Sequence, residues 1–130
     1  MSPPSVLIVD DDVGAVETLT DILTAKQYRV EIARSGEDAI SLARTTPFDA
    51  ILMDIVMPGV NGVEALRSIK AVDPGTNVIM MTAYTRHELV EQARKAKAIA
   101  VLPKPLDMDR LLALLARTVR KNGGSKGKPR

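Results

Sequence analysis

The stretch FDAILMDIVMPGVNG, residues 48–62, is the most informative part of the sequence about the fold. Its apolar run ends on a single acid, Asp54, and the turn-forming pairs Pro58-Gly59 and Asn61-Gly62 follow at once. A lone carboxylate after apolar residues is typical of a buried strand that emerges at its carboxyl end. We therefore predict a strand over residues 50–54, with a polar site where it ends.

A second apolar run ends in the same way. Val6–Val9 precedes three acids, Asp10, Asp11 and Asp12. Ligands of an open parallel sheet bind outside the carboxyl ends of its strands. The two runs therefore predict one acidic site, with Asp12 placed to cap the helix that follows.

Apolar runs alternate with segments of helical spacing along the chain. Predicted strands cover residues 5–9, 29–33, 50–54, 77–81 and 98–102. Predicted helices cover about residues 13–26, 35–44, 63–71, 85–96 and 107–120, the later four opening on capping residues Ser35, Asn61, Thr85 and Asp107. This alternation predicts a doubly wound α/β domain with a five-stranded parallel sheet and right-handed crossovers.

Composition bounds the function. The 130 residues, 45% of them hydrophobic, suit one globular domain, predicted over residues 1–120. The absence of cysteine and the single histidine, His87, exclude thiolate and histidine-clustered metal sites. Aromatic residues make up only 2%, which argues against modules that stack nucleic-acid bases. No apolar run is long enough to span a membrane and no signal peptide is recognisable, so we expect a cytoplasmic protein.

The last ten residues, KNGGSKGKPR, differ from the rest. They are rich in Gly and Lys, which predicts a disordered basic tail or linker over residues 121–130. They carry four positive charges, and the whole chain has a net charge of +2. The predicted domain is therefore net acidic, and we expect it not to bind nucleic acid directly.

Five side chains at the predicted strand ends define the chemistry of the site. They are Asp10, Asp11, Asp54, Thr82 and Lys104. Three carboxylates against one ammonium repel one another, and a divalent cation relieves that repulsion. All available ligands are oxygens, which favours Mg²⁺. A metal-neutralised carboxylate beside a lysine and a hydroxyl suits phosphoryl transfer through an aspartyl phosphate.

Taken together, these motifs resemble the response-regulator receiver domain of two-component signalling. The resemblance extends over about residues 6–119 and rests on four motifs at strand ends: Asp10-Asp11 after VLIV, Asp54 in MDIVMPGVNG, Thr82-Ala83 after VIMM, and Lys104-Pro105. It implies the flavodoxin-like strand order 2-1-3-4-5 and the role of a phosphorylated signalling domain rather than an enzyme.

The resemblance also implies roles for the site residues. Asp54 would accept a phosphoryl group from a sensor histidine kinase or a phosphotransfer protein. Asp11, Asp54 and the backbone carbonyl of Val56 would ligate Mg²⁺, and Asp10 would support the ion through water. Phosphorylation would then change a surface that binds a downstream protein or a fused effector.

Two further residues complete the implied site. Thr82 and Lys104 would hold the phosphoryl group. Family members tend to have a cis peptide before the proline that matches Pro105.

The sequence departs from the family pattern in several places. Val101 replaces the aromatic residue that usually lies three positions before the lysine, Lys97 occupies a common glycine position, and Pro103 directly precedes the lysine. Val56 and Tyr84 lie at the two positions associated with access of water to the acyl phosphate. We therefore predict slow loss of the phosphoryl group.

Other functions fit parts of the sequence. Asp10-Asp11-Asp12-Val13 also matches the DxDx(T/V) motif of haloacid-dehalogenase-type phosphatases, with Asp10 as nucleophile, although that family needs a further acidic pair late in the fold. A pseudo-receiver that docks without phosphorylation is another alternative. A flavodoxin-like cofactor site is disfavoured because the three acids would repel phosphate.

The last predicted helix is unusually rich in leucine. Leu111, Leu112, Leu114 and Leu115 exceed a single buried stripe. Either this helix has a broad buried face, or it contributes to a partner surface, including that of a homodimer.

Overall fold

The computed structural model describes the backbone of residues 3–83 and 87–126. In chain order, the elements are β1 (Ser5–Val9), α1 (Val13–Ala25), β2 (Arg29–Ala33), α2 (Gly36–Thr45), β3 (Ala50–Asp54), α3 (Gly62–Val72), β4 (Val78–Thr82), α4 (His87–Lys95), β5 (Ala100–Pro103) and α5 (Met108–Lys126). The strands form one parallel sheet in the order β2-β1-β3-β4-β5. The predicted fold class and strand order are confirmed.

The two faces of the sheet carry separate halves of the core. Successive strand residues point to opposite faces, so Leu7 and Met53 join one cluster and Ile8 and Leu52 join the other. Helices α2, α3 and α4 cover the first face, and α1 and α5 cover the second. Strands β1, β3 and β4 are buried on both faces, which explains their continuous apolar runs.

The predicted capping residues start the helices that the sequence assigned to them. The side chains of Asp12, Ser35, Asn61 and Asp107 each accept a hydrogen bond from a backbone N–H three residues later, at 3.0–3.2 Å. Each bond satisfies one N–H donor that the first helical turn leaves without a partner. The predicted cap Thr85 lies outside the described residues.

The leucine-rich last helix has a broad buried face. Leu111, Leu114 and Leu115 are buried and Leu112 is half-buried, all against the same core cluster. The core of this domain therefore accounts for the excess of leucine without a partner.

Some boundaries differ from the prediction. Strand β5 begins at Ala100 instead of residue 98, because Lys97 adopts a left-handed conformation with φ of 75° and the chain leaves α4 there. Helix α5 runs to Lys126, six residues beyond the predicted end, since lengthening an existing helix needs no new nucleus. Residues 127–130 are not described, and the division between domain and tail stays a prediction. Of the helices in the described ranges, none has the length and apolarity to cross a membrane.

Candidate functional site

The fold brings the predicted site residues to one edge of the sheet. Asp54 ends β3 and Thr82 ends β4, while Asp10 and Lys104 directly follow β1 and β5. These four strands are consecutive neighbours in the sheet. The order of the strands in the sheet therefore brings these residues together, although they are far apart in sequence.

Lys104 connects two of the acids. Its Nζ donates to Asp10 Oδ2 at 2.8 Å and to Asp54 Oδ2 at 3.0 Å. The side chain of Asp10 is 1% exposed and that of Asp54 is 11% exposed, whereas that of Lys104 is 22% exposed. Charge-assisted bonds of this length offset part of the free-energy cost of burying the carboxylates.

Backbone groups fix the second oxygen of each carboxylate. Asp10 Oδ1 accepts a hydrogen bond from the N–H of Asp12 at 3.0 Å. Asp54 Oδ1 accepts one from the N–H of Val56 at 3.1 Å. Both carboxylates are thus oriented by the turn that follows their strand and by the lysine on the opposite side.

The ionisation of the site reflects burial and pairing. Burial raises the pKa of the Asp54 carboxyl, and its hydrogen bond to Lys104 and the charge of Lys104 oppose that rise only in part. For Lys104, burial lowers the pKa, but the hydrogen bonds and negative charges of Asp10 and Asp54 outweigh it and leave the pKa raised. Lys104 is therefore held as the cation.

Asp11 adds a third carboxylate to the pair. It is exposed, and carboxylate oxygens of Asp10, Asp11 and Asp54 lie within 4.8 Å of one another. With Lys104 as the cation among them, negative charge is left in excess. Hard oxygen ligands with excess negative charge and an open side are the donor set that Mg²⁺ prefers, so these residues fit such an ion.

Thr82 and the segment around Lys104 are tied together. Thr82 is 1% exposed, and its carbonyl oxygen accepts a hydrogen bond from the N–H of Lys104 at 2.8 Å. The peptide between Lys104 and Pro105 is cis, as the resemblance implied. Val101, which takes the place of the usual aromatic residue, is half-buried on β5. Tyr84 lies outside the described residues.

The sequence did not reveal the part played by Gly62. A Cβ at this position would collide with the carbonyl oxygen of Asp54 and lie 2.7 Å from Ile55 Cα. The N–H of Gly62 also donates to the carbonyl of Ile55 at 2.7 Å. The start of α3 therefore rests directly on the backbone of Asp54, and the only signal in the sequence was a glycine after a capping asparagine.

Known proteins share both the sequence and the fold. The family model described as the response regulator receiver domain matches residues 6–116. A response regulator receiver protein of Anaeromyxobacter sp. (strain Fw109-5) is 41% identical over 108 residues, which are 83% of this chain and 45% of that protein. Sporulation initiation phosphotransferase F of Bacillus subtilis is 30% identical over 111 residues, which are 85% of this chain and 90% of that protein.

A solved structure has nearly the same backbone. The CheY-like receiver domain protein of Methanospirillum hungatei JF-1 matches with a TM-score of 0.90 at 29% identity, covering 95% of this chain and 99% of that one. The chain spans 26% to 45% of the length of six curated relatives that are 37–41% identical to it, five of them named transcriptional regulatory proteins.

Proposed function

The chain belongs to the response regulator receiver domain family of two-component signalling, and from its site we propose that Asp54 is the phosphoacceptor. The observation that carries this proposal is the cluster at the sheet edge, where Lys104 contacts Asp54 and Asp10 while Asp11 lies close by on the exposed side. Asp54 ends a central strand, and its side chain is 11% exposed, whereas that of Asp10 is 1% exposed.

The chemistry is transfer of one phosphoryl group. An Asp54 carboxylate oxygen forms a bond to phosphorus while the bond from phosphorus to a histidine nitrogen of the donor breaks, and the donor imidazole keeps the electron pair and later takes up a proton. Lys104 balances charge on the transferring oxygens, and the Thr82 hydroxyl donates to one of them. As a signalling domain, the protein assists only its own phosphorylation and dephosphorylation.

The acidic cluster gives this proposal its cofactor. Asp11, Asp54 and the Val56 carbonyl would hold Mg²⁺, with Asp10 supporting it through water. When bound, the ion supplies positive charge that offsets the negative charge of the phosphoryl oxygens. Asp54 has a raised pKa, so neighbouring positive charge also favours its ionised, nucleophilic form.

A groove beside the site suits the phosphodonor. It has a volume of about 570 Å³ and runs from Asp10 and Lys104 along α1, with Leu19, Ile22 and Leu106 in its lining. We propose that a sensor histidine kinase or a phosphotransfer protein docks here in the cytoplasm, where the kinase has access to ATP. The output is a changed surface for a downstream protein or a fused effector, and we expect no direct contact with nucleic acid or membrane.

A homodimer through the last helices remains a further proposal. It has little support from the leucines of α5, because they face the core. Its test is the oligomeric state before and after phosphorylation, and a monomer in both states would contradict it.

The alternatives have weaker support. As a phosphatase nucleophile, Asp10 would need access to substrate, yet its side chain is 1% exposed and bonded to Lys104. Three clustered carboxylates repel one another, and this repulsion costs free energy. A pseudo-receiver, which docks without phosphorylation, has no need for such a cluster or for the lysine paired with it.

Intact-mass analysis tests the proposal. The protein is incubated with acetyl phosphate in Mg²⁺ or in chelator, beside Asp54→Asn and Asp10→Asn variants. We expect a Mg²⁺-dependent phosphoryl adduct on the wild type that Asp54→Asn abolishes. An adduct lost only with Asp10→Asn would assign the phosphatase chemistry instead, and no adduct beside a reactive control receiver would favour the pseudo-receiver.

A further inference from the structure

The loop after Asp54 begins and ends close to this proposed phosphoacceptor. It covers residues 55–61 between β3 and α3, and the N–H of Gly62 closes its base on the carbonyl of Ile55 at 2.7 Å. Inside the loop, the N–H of Val56 donates to Asp54 Oδ1 at 3.1 Å. The position of this loop therefore sets the orientation of the Asp54 carboxylate and of the Val56 carbonyl.

The outer part of the loop rests on the first turn of α2. A Cβ on Gly36 would lie 2.7 Å from the Val60 carbonyl oxygen and 3.2 Å from Val60 Cβ and Cγ1. Gly59, the loop residue before Val60, has a φ of +78°, and a Cβ there would lie 3.1 Å from Glu37 Oε2 of α2. The two segments approach this closely because both contact points are glycines.

This contact leaves the loop little freedom to yield. Gly36 is buried, and its Ser35 neighbour fixes the turn by accepting a hydrogen bond from the N–H of Asp38 at 3.1 Å. On the loop side, Met57 is buried and Val60 packs against the core. A side chain added at position 36 would meet a backbone oxygen, which cannot rotate away, so the loop itself would have to shift.

We propose that Gly36 is a positioning residue for the phosphoacceptor site, through the contact between the first turn of α2 and Val60. This inference rests on the proposed function, because the loop it braces carries Val56, a proposed ligand of Mg²⁺. A shift of the loop disturbs the Val56–Asp54 hydrogen bond and weakens the binding of the ion, although Gly36 contacts neither.

Amide hydrogen exchange measured by NMR tests the contact without any metal. The Val56 N–H reports on the loop, since it donates to Asp54 Oδ1. Residue Val56 is 41% exposed, so exchange of this amide needs only local opening. We expect Gly36→Ala to speed Val56 exchange by about fivefold or more, and Val60→Ala, which adds no atoms, by at least about twofold.

Gly75→Ala is the matched control. A Cβ at Gly75 would meet nothing closer than Asp73 Oδ1 at 3.4 Å, and we expect Val56 exchange within about twofold of the wild type. If both Gly36→Ala and Val60→Ala leave Val56 exchange unchanged, even with lowered global stability, Gly36 is only a packing residue and the inference fails.

Titration calorimetry with Mg²⁺ completes the test. We expect Gly36→Ala to weaken Mg²⁺ binding by about fivefold, in step with Val56 exchange, and Gly75→Ala to leave it unchanged. Faster exchange in Gly36→Ala with unchanged Mg²⁺ affinity would overturn the positioning role. If the wild type binds no Mg²⁺, the proposed metal site fails, while the exchange comparison still decides whether α2 positions the loop at Asp54.

Discussion

Replacing Lys104 with Met should lower the free energy of unfolding at neutral pH and without Mg²⁺. Lys104 is bonded to two carboxylates, at 2.8 Å and 3.0 Å, and methionine keeps most of its stem but not its charge. Removing one partner of a buried ion pair costs about 3–5 kcal/mol. Because the Lys104 side chain is 22% exposed and water screens the pair, we expect a loss of about 1–3 kcal/mol.

The pH dependence of this loss follows from Asp54. Burial already raises its pKa and Lys104 opposes the rise, so the folded-state pKa climbs further in the variant while the unfolded-state pKa stays the same. An acid with a raised folded-state pKa destabilises the protein above that pKa and stops doing so once protonated. The difference between variant and wild type is therefore largest at neutral pH and shrinks as pH falls through the raised pKa.

Urea unfolding followed by circular dichroism, in chelator and at several pH values, measures both effects. Lys70→Met is the matched control, because Lys70 also donates one hydrogen bond, to the Pro74 carbonyl at 3.2 Å, and burial lowers its pKa. We expect that control to change stability by less than about 1 kcal/mol, with no such pH dependence. A Lys104→Met variant as stable as the wild type at neutral pH, or equally weakened at acid pH, would contradict this role of Lys104.

Three further predictions concern packing, metal and lifetime. Gly62→Ala should lower the free energy of unfolding by about 1–3 kcal/mol, because the added Cβ meets the Asp54 backbone, whereas Gly14→Ala should not lower it; equal urea midpoints would contradict this. Mg²⁺ at about ten times its dissociation constant should raise the melting temperature by roughly 4–7 °C in calorimetry, and Asp11→Asn should reduce that shift; no shift in the wild type would exclude the ion. The phosphorylated protein should keep its phosphoryl group for minutes or longer by mass spectrometry, since the resemblance associates the positions of Val56 and Tyr84 with access of water to the acyl phosphate; a half-life of seconds would contradict this.

Much of the fold could be predicted from the sequence, because the local signals for strands and helix starts agreed with the alternating α/β pattern of the whole chain. The apolar runs at β1, β3 and β4 needed no partner to be recognised, and the acid that follows or ends two of them marked the edge of the sheet. The starts of three helices were predicted by the capping residues Asp12, Asn61 and Asp107. These features depend on residues close in sequence.

The individual tertiary contacts could not be predicted. The strand ends predicted that Lys104 lies near the acids, but not that it donates to both Asp10 and Asp54, which lie 94 and 50 residues away. The turn signal Asn61-Gly62 and the capping Ser35 before Gly36 did not indicate that backbone of another segment lies against each glycine. The leucines of α5 allowed two interpretations, because helical spacing does not say how wide a core face is.

Locating the phosphoryl group tests directly whether Asp54 is the phosphoacceptor. The wild type is incubated with Mg²⁺ and acetyl phosphate, the acyl phosphate is reduced with borohydride to leave a stable mark, and peptides are sequenced by mass spectrometry. We expect a mark at Asp54 that is absent when Mg²⁺ is chelated. A mark at Asp10, or no mark beside a control receiver that reacts, would contradict it.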